Sequence, residues 1–280
     1  ADVVPGVSGG TIAFISGIYE ELLNSISSFN FNLLKVYKKE GFKQVWNIVN
    51  GSFLLALFIG ISISVLSLAK LIETLLENHP IVIWSFFFGL VLASIIYIGK
   101  QITTWTIGSI LCLILGGILA FYITTLNPMV SENSSPWFLF LVGMIAICAM
   151  ILPGISGSFI LVLLGAYKPV LNALNTRDFF SIIIFMLGTV VGLVTFSRIL
   201  KWLFSSYKNY TLAILTGFII GSLNKIWPWQ EIISWRTNSK GIEVPLSTTS
   251  VSPFSFEGDP QLMTAILLAT IGFGLILLLE

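Results

Sequence analysis

Apolar residues run along most of this chain in long stretches, separated by short polar or charged segments. Six of these stretches are long enough, at about 20 residues, to cross the roughly 30 Å hydrocarbon core of a bilayer as helices. They are Phe53–Ile72, Ile81–Ile98, Ile107–Leu126, Ser181–Leu203, Leu212–Trp227 and Leu262–Leu279. The pattern predicts an all-α polytopic membrane protein.

Two further apolar stretches, Val3–Leu23 and Phe138–Leu174, are interrupted by Pro-Gly and by clustered small residues. The interruptions read Pro5-Gly6-Val7-Ser8-Gly9-Gly10-Thr11 and Pro153-Gly154-Ile155-Ser156-Gly157-Ser158. A proline breaks the helical hydrogen-bond ladder, and each unpaired backbone group in hydrocarbon costs several kcal/mol. Such backbone survives at membrane depth only where protein, water or a ligand satisfies it. We therefore expect both breaks to face a cavity.

The two interrupted stretches are copies of one motif. Residues 5–12 align on residues 153–160, and the agreement continues at Gly17 with Gly165 and at Tyr19 with Tyr167. At a different offset, further pairs align in the spans: Gly60 with Gly188, Lys70 with Arg198, Gly89 with Gly217, and Ser94 with Ser222. A duplicated plan of this kind is typical of membrane transporters.

Each half then has a broken segment followed by three spans. If the broken segment is a re-entrant Pro-Gly-x-Ser-Gly hairpin that enters and leaves on one side, each half crosses the membrane an odd number of times. The second half is then inverted relative to the first. We predict two inverted-topology repeats, residues 1–126 and 137–280, with residues 229–260 as the largest external loop and the two motif turns meeting near the midplane.

Charge orients this arrangement. Basic residues gather on one predicted side: Lys35, Lys38, Lys39, Lys43, Lys100, Arg198, Lys201 and Lys208. Acidic residues dominate the other: Glu73, Glu77, Glu132, Asp178, Glu231, Glu243, Glu257 and Asp259. By the positive-inside rule, the lysine-rich loop 24–52 is cytoplasmic. The formal net charge is only +1, and the chain has no basic block of the kind that binds nucleic acid.

The duplicated motif has the chemistry of an anion site. A helix that starts after a break presents free N–H groups, and neighbouring hydroxyls donate or cap. Glycines let a phosphate or carboxylate approach the backbone. The candidate phosphate-binding residues are Pro5, Gly6, Ser8, Gly9, Gly10, Thr11, Pro153, Gly154, Ser156, Gly157 and Ser158. Small residues also serve close helix packing, but packing requires neither the proline nor the duplication.

Five ionisable residues are candidates for a proton or headgroup relay. Asp2, Glu20 and Glu21 flank the first motif, and intramembrane carboxylates are functional by default. The alternative for Glu20 and Glu21 is that they mark a helix end at the interface. Lys70 and Arg198 correspond in the repeat, and each either guides an anionic headgroup or snorkels from a helix end.

An enzyme is the less favoured interpretation. Gly6-Val7-Ser8-Gly9-Gly10 matches the Gly-x-Ser-x-Gly turn of many hydrolases, but a serine nucleophile needs a base within hydrogen-bond reach. The only histidine, His79, lies in a loop predicted on the outer side, and the second motif copy lacks the final glycine. No residues have metal-ligand spacing, and Cys112 and Cys148 lie within apolar segments. We predict no catalytic residues, no metal and no cofactor.

The first copy, ADVVPGVSGGTIA at residues 1–13 followed by GIYEEL at 17–22, resembles a prokaryotic membrane family associated with polyprenyl-phosphate translocation, the PopT type. The second copy, LPGISG at residues 152–157, fits the same family, and the resemblance covers essentially the whole chain. It implies a flippase in the bacterial inner membrane that returns undecaprenyl phosphate from the outer to the inner leaflet after cell-wall polymer synthesis. Its partners are then this lipid and the bilayer.

Several alternatives stay open at the level of sequence. A transporter for a small soluble anion is the next interpretation, and an intramembrane serine hydrolase is a more distant one. The driving force is a lipid gradient, or protons that titrate the phosphate, Asp2 or a glutamate. In families of this kind an upstream segment supplies the first arm of the first hairpin, and we expect such a segment before residue 1.

Overall fold

The computed structural model describes residues 8–129, 135–237 and 243–279. Thirteen α-helices, one 3-10 turn and two strands follow one another in these ranges. They are α1 (Gly9–Ile15), α2 (Tyr19–Ser27), α3 (Asn32–Glu40), α4 (Phe42–Ile48), α5 (Gly51–Asn78), α6 (Pro80–Lys100), α7 (Ile107–Thr125), α8 (Pro136–Ile151), α9 (Gly157–Leu163), α10 (Tyr167–Thr176), α11 (Phe179–Ser206), α12 (Lys208–Ser222), the 3-10 turn (Leu223–Ile226), β1 (Gln230–Thr237), β2 (Glu243–Ser250) and α13 (Leu262–Leu279).

The predicted spans are present as helices, but they differ in length. Within the described residues, four helices are long and apolar enough to cross a membrane, namely α5, α6, α7 and α11, and the bent pair of α9 and α10 would make a fifth. The other two predicted spans correspond to the shorter α12 and α13. The span predicted from Leu212 to Trp227 begins earlier in the structure, at Lys208, and α12 ends at Ser222, after which the 3-10 turn Leu223–Ile226 continues to the residue before Trp227. Most residues of α12 are buried by neighbouring elements.

The broken segments fold alike in the two halves. Helices α1 and α9 begin and end at aligned positions, and each is followed by a turn whose glycine has positive φ, 71° at Gly17 and 69° at Gly165. The same hydrogen bond closes both turns, from Ile18 N to Ala13 O at 3.0 Å and from Ala166 N to Leu161 O at 2.8 Å. Glycine is suited to this left-handed C-terminal turn because it has no Cβ. At the second turn, α9 and α10 form an angle of 105°.

The long helices also match across the halves. Helices α5 and α11 each contain 28 residues and begin at aligned positions. The residues that follow their last turns, His79 and Tyr207, share nearly the same backbone conformation, with φ of −139° at both. The local structure of the second half therefore repeats that of the first well beyond the Pro-Gly motif.

Two helix pairs, α6 with α13 and α7 with α12, are packed closely by glycine. A methyl group placed on Gly89 of α6 would overlap the carbonyl of Ala269, and one on Gly217 of α12 would overlap the carbonyl of Leu113. Because Gly89 aligns with Gly217, these two contacts are equivalent. The last helix of each half therefore packs on the middle helix of the other half, and small residues allow the backbones to approach.

The connection between α12 and α13 adds a short strand hairpin to a mostly helical protein. Strands β1 and β2 pair antiparallel, with Gln230 opposite Ser250, within the segment 229–260 that the sequence predicted as the largest external loop. Tryptophan indoles fix the base of this hairpin, because Trp227 Nε1 donates to Val251 O and Trp229 Nε1 donates to Pro260 O, both at 2.9 Å. Buried Trp229 packs with Ile81, so the hairpin lies at the α5–α6 junction.

Candidate functional site

The two motif copies are in direct contact, and their region of contact is the motif junction. The Ser8 hydroxyl donates to the carbonyl oxygen of Leu152 at 3.0 Å, and a longer contact of 3.4 Å reaches Met150 O. The backbone N–H of Gly154 donates to the Thr11 hydroxyl at 3.0 Å. The backbone groups freed by the second break are thus satisfied by the first motif, which is how irregular backbone persists inside a membrane protein.

The serine of each copy caps the helix that follows it. Ser8 precedes α1 in extended conformation and accepts a hydrogen bond from Gly10 N at 3.1 Å. Ser156 precedes α9 in the same way and accepts from Phe159 N at 3.3 Å. Serine is a preferred N-cap because its hydroxyl oxygen reaches an unpaired N–H of the first helical turn.

Glycine is required at positions 10 and 154 of the motif junction because neighbouring atoms approach the backbone too closely for a side chain. A methyl group on Gly10 would overlap the carbonyl oxygen of Ile151, and one on Gly154 would lie 2.6 Å from the hydroxyl of Ser222. Gly154 also has a φ of 94°, a conformation that side-chain-bearing residues rarely adopt. In the conformation described, Gly10 and Gly154 therefore serve protein packing rather than an open binding surface.

Accessibility divides the predicted phosphate-binding residues into two groups. Ser8 and Thr11 are 2% and 1% exposed, and Gly10, Pro153 and Gly154 are also buried. In contrast, Gly9, Ser156 and Gly157 are half-buried, and Ser158 is exposed. The hydroxyls of Ser156 and Ser158 lie 3.4 Å apart. Among the described motif residues, the accessible polar surface is therefore mainly on the second copy, whereas Asp2, Pro5 and Gly6 lie outside the described residues.

Tyr19 supports the junction and was missed as a functional candidate. Its hydroxyl donates to the carbonyl of Ile151 at 3.1 Å, next to the Ser8 contact, and its ring packs on Phe14 and Phe204 with centroids 4.7 and 5.9 Å away. The available signal was its alignment with Tyr167 in the repeat.

The four predicted relay residues that the structure describes, Glu20, Glu21, Lys70 and Arg198, do not gather at the contact between the motif copies. Glu20 forms an exposed ion pair of 2.8 Å with Lys208, and Glu21 accepts a 2.7 Å hydrogen bond from the Asn50 side chain. Arg198 donates to the carbonyls of Ser27 and Phe29, where it satisfies the C-terminal end of α2. Lys70 is exposed on α5. The aligned pair of Lys70 and Arg198 therefore has two different environments.

Two cavities lie at opposite ends of the helices. One has a volume of about 440 Å³ and is lined by Glu21, Asn24, Ser25, Ser28, Ile48, Asn50 and Lys201. The other, of about 310 Å³, lies beside the strand hairpin and borders the second motif through Phe159. Its single charged lining residue among those described is Lys225, which lies in the apolar run 212–227 and was not among the sequence-predicted candidates. The available signal was that an ionisable residue in such a run is a functional candidate by default.

The described residues at the motif junction give little indication of a catalytic serine or of a metal site. The Ser8 hydroxyl is engaged with backbone carbonyls, and His79 lies at the α5–α6 junction beside the hairpin. In the part of the chain that the structure describes, no three His, Cys, Asp or Glu side chains are grouped so as to hold a metal ion.

Comparison with known proteins gives concordant matches. Residues 1–244 match the family model described as undecaprenyl phosphate translocase-like. A polyprenyl-phosphate transporter of Vibrio cholerae is 52% identical over 284 aligned residues, covering 100% of this chain and 92% of the relative. A polyprenyl-phosphate transporter of Staphylococcus aureus is 32% identical over 254 residues, covering 84% of this chain and 85% of the relative. No solved structure matches the chain significantly.

Proposed function

Because the chain belongs to the undecaprenyl phosphate translocase-like family, we propose that it returns undecaprenyl phosphate from the outer to the inner leaflet of the cytoplasmic membrane. The relatives in Vibrio cholerae and Staphylococcus aureus are named polyprenyl-phosphate transporters. The single observation that carries the proposal is the contact between the two motif copies, through Ser8 with Leu152 and Thr11 with Gly154. A junction of broken helices inside an apolar bundle is where transporters bind their substrates.

The proposal includes two inverted repeats. At one end of the bundle, Lys208 contacts Glu20 and Asn209 contacts Thr103, so the α11–α12 junction lies beside α2 and the α6–α7 loop. At the other end, Trp229 lies beside Ile81, which places the α5–α6 junction with the hairpin after α12. Helices α5 and α11, which match in length and position, therefore run in opposite directions. The equivalent glycine contacts of α6 with α13 and of α7 with α12 support the same symmetry.

The phosphate is proposed to bind on the accessible edge of the junction. Ser156 and Ser158 supply hydroxyls, and the first turn of α9 supplies N–H groups at Gly157 and Ser158 that precede the helical hydrogen-bond ladder. Hydrogen bonds to a charged oxygen are stronger than those between neutral groups, about 1.5–3 kcal/mol each. Ser8 and Thr11 hold the facing copy in place, so that their contribution to binding is to position the second turn.

Translocation then needs both copies. Relative movement of the two halves exposes the junction to one leaflet and then to the other, while the prenyl chain stays in lipid between the helices. The basic end of the bundle, with the lysine-rich segment 24–52, is proposed as cytoplasmic, and the hairpin end as external. In the structure segment 24–52 contains the exposed helices α3 and α4, which fits a position at the membrane surface.

Proteoliposomes test this proposal. Fluorescent undecaprenyl phosphate is placed in one leaflet, and its appearance in the other is followed by quenching with a membrane-impermeant reagent. We expect exchange with the wild-type protein and slower exchange with a Ser156→Ala, Ser158→Ala double variant. A matched variant, Ser205→Ala, changes an exposed serine of α11 and is expected to retain exchange. Exchange equal to that of empty liposomes would contradict the proposal.

Thermal shift separates the lipid from a small anion. Undecaprenyl phosphate, a shorter prenyl phosphate and inorganic phosphate are compared at equal phosphate concentration in detergent. Ligands that bind the folded state raise the melting temperature according to their affinity. We expect the rise in melting temperature to be largest with undecaprenyl phosphate and to become smaller as the prenyl chain becomes shorter. An equal rise with inorganic phosphate would favour transport of a soluble anion.

A further inference from the structure

Lys225 occupies an unusual position at the hairpin end of the bundle. It lies in the 3-10 turn that directly follows α12, with its side chain only partly exposed. Its ammonium nitrogen lies 5.1 Å from the ring centroid of Phe159, within the range of a cation–π contact. No carboxylate lies within 4.0 Å of it among the described residues. A partly desolvated cation without a counter-ion favours an anion beside it.

The described residues that line the cavity around Lys225 leave its positive charge without a negative partner. Its lining holds side-chain amides and hydroxyls, including Asn127, Asn224 and Thr249, and its described part contains no Asp or Glu. The cavity at the opposite end differs, because Glu21 lies in it together with Lys201. Of the two, only the Lys225 cavity combines a positive charge with a lining in which no described residue is negatively charged.

The strand hairpin fixes this turn in place. Gln230 Nε2 donates to Lys225 O at 2.9 Å, and Ser250 Oγ donates to Asn224 O at 3.0 Å. The Thr248 hydroxyl in turn donates to Gln230 Oε1 at 2.8 Å. On the other side, Thr124 of α7 donates to Asn224 Oδ1 at 2.9 Å. The turn is therefore held from both sides, so that the lysine is positioned before any ligand arrives.

The cavity is also connected to the second motif. Phe159 is the residue after Ser158, and its N–H is bonded to Ser156. Gly154, in the motif turn, packs on Ser222, three residues before Lys225. The Lys225 cavity therefore borders the second motif through the ring of Phe159.

We propose that the Lys225 cavity is a separate receiving site for a phosphate monoester headgroup at the outer face, from which the headgroup passes to the motif junction. This inference rests on the proposed function, to which it adds an entry site and the residue that recognises the phosphate. Between a lipid headgroup and free phosphate, the lining favours the lipid. Phe121 and Ile233 line the same cavity and are 53% and 67% exposed, which gives a prenyl chain an apolar surface beside the phosphate.

Binding to the full-length protein in detergent tests the role of the charge. The probe is a short-chain prenyl phosphate, compared with the corresponding prenyl alcohol and with inorganic phosphate. We expect Lys225→Gln to weaken prenyl phosphate binding about tenfold or more, and Lys225→Arg to retain most of it. The matched control is Lys168→Gln, which removes an exposed lysine of α10. Unchanged affinity in a folded Lys225→Gln variant would overturn the inference.

Chemical protection gives a readout that does not depend on transport. The rate at which an amine-reactive reagent modifies Lys225 is measured by mass spectrometry with and without each probe. We expect prenyl phosphate to slow modification of Lys225 but not of Lys168, and inorganic phosphate to protect more weakly. Protection in a protein that fails to exchange lipid would retain this site and refute the proposed function. Lipid exchange without protection of Lys225 would retain the proposed function and refute this site. Equal protection by inorganic phosphate would overturn the assignment to a lipid headgroup.

Discussion

The backbone N–H of Gly154 donates a hydrogen bond of 3.0 Å to the hydroxyl of Thr11, which lies 143 residues earlier in the chain. Both residues are buried, and each belongs to one copy of the duplicated motif. The contact means that the first copy supplies a hydrogen-bond partner that the second copy lacks because its helix is broken. The two halves are therefore joined through backbone chemistry at the center of the protein.

Thr11→Val tests that contact. Valine has nearly the shape of threonine but no oxygen, so the N–H of Gly154 is left buried without a partner, at a cost of about 1–3 kcal/mol in the free energy of unfolding. The matched control is Thr216→Val, since Thr216 is equally buried but bonds only within its own helix, to Leu212 O. Chemical denaturation in detergent compares the two variants. Equal loss of stability in both would show that the hydrogen bond with Gly154 contributes no more to the free energy of unfolding than a hydrogen bond within one helix.

Replacing one serine in each motif copy, Ser8 and Ser158, separates structural support from phosphate binding. Ser8→Ala removes the cap of α1 and the bond to Leu152, so we expect a loss of about 1–2 kcal/mol in stability. Ser158→Ala removes an exposed hydroxyl, and we expect an unchanged melting temperature with prenyl phosphate binding weakened about tenfold. Melting temperature and affinity are measured on the same preparations. A Ser8→Ala variant of normal stability and weak binding would restore Ser8 as a direct ligand.

Glycine packing between the halves is tested by two substitutions on one helix. A methyl group on Gly272 of α13 would overlap the carbonyl of Phe86, whereas one on Gly274 would meet nothing within 4 Å. Overpacking costs about 1–3 kcal/mol, and alanine is otherwise the better helix former. We expect Gly272→Ala to lower the melting temperature and Gly274→Ala to leave it unchanged or raise it. The opposite order would refute the close pairing of α6 with α13.

The likeness of the two motif segments could be predicted from sequence because the same residue types stand at aligned positions, as at Gly17 and Gly165. Neither the strand hairpin nor the Lys225 turn could be predicted in this way. The hairpin residues alternate weakly and are surrounded by turn-forming residues, so that the pairing of Gln230 with Ser250 follows from tertiary contacts. Likewise, the aligned pair of Lys70 and Arg198 implied a shared role, but a side chain near a helix end takes the partners that its own half supplies.

The orientation of the bundle is tested by cysteine labelling. In a background with Cys112 and Cys148 replaced, we expect Ser255→Cys to react with a membrane-impermeant maleimide in intact spheroplasts, because Ser255 follows the hairpin at the proposed outer end. Lys38→Cys, on α3 in the lysine-rich segment, is expected to react only after permeabilisation. Both positions are exposed in the structure, so that a difference in labelling reports sidedness rather than burial. Labelling of Lys38→Cys in intact spheroplasts would refute the proposed orientation.

The last prediction is that the purified protein moves undecaprenyl phosphate without cleaving it. A hydrolase has to stabilise the transition state more than the bound substrate, and a serine nucleophile has to pass its proton to a base. The Ser8 hydroxyl instead donates to the carbonyl of Leu152, which is not a base, and Ser8 is only 2% exposed. The hydroxyls and N–H groups that we propose to bind phosphate on the accessible edge would hold it by hydrogen bonds alone, which suits a carrier that must also release its substrate. Proteoliposomes containing radiolabelled lipid phosphate are assayed for leaflet exchange and for free phosphate in the same samples. We expect exchange with intact lipid, whereas phosphate release that is abolished by Ser8→Ala would establish a hydrolase.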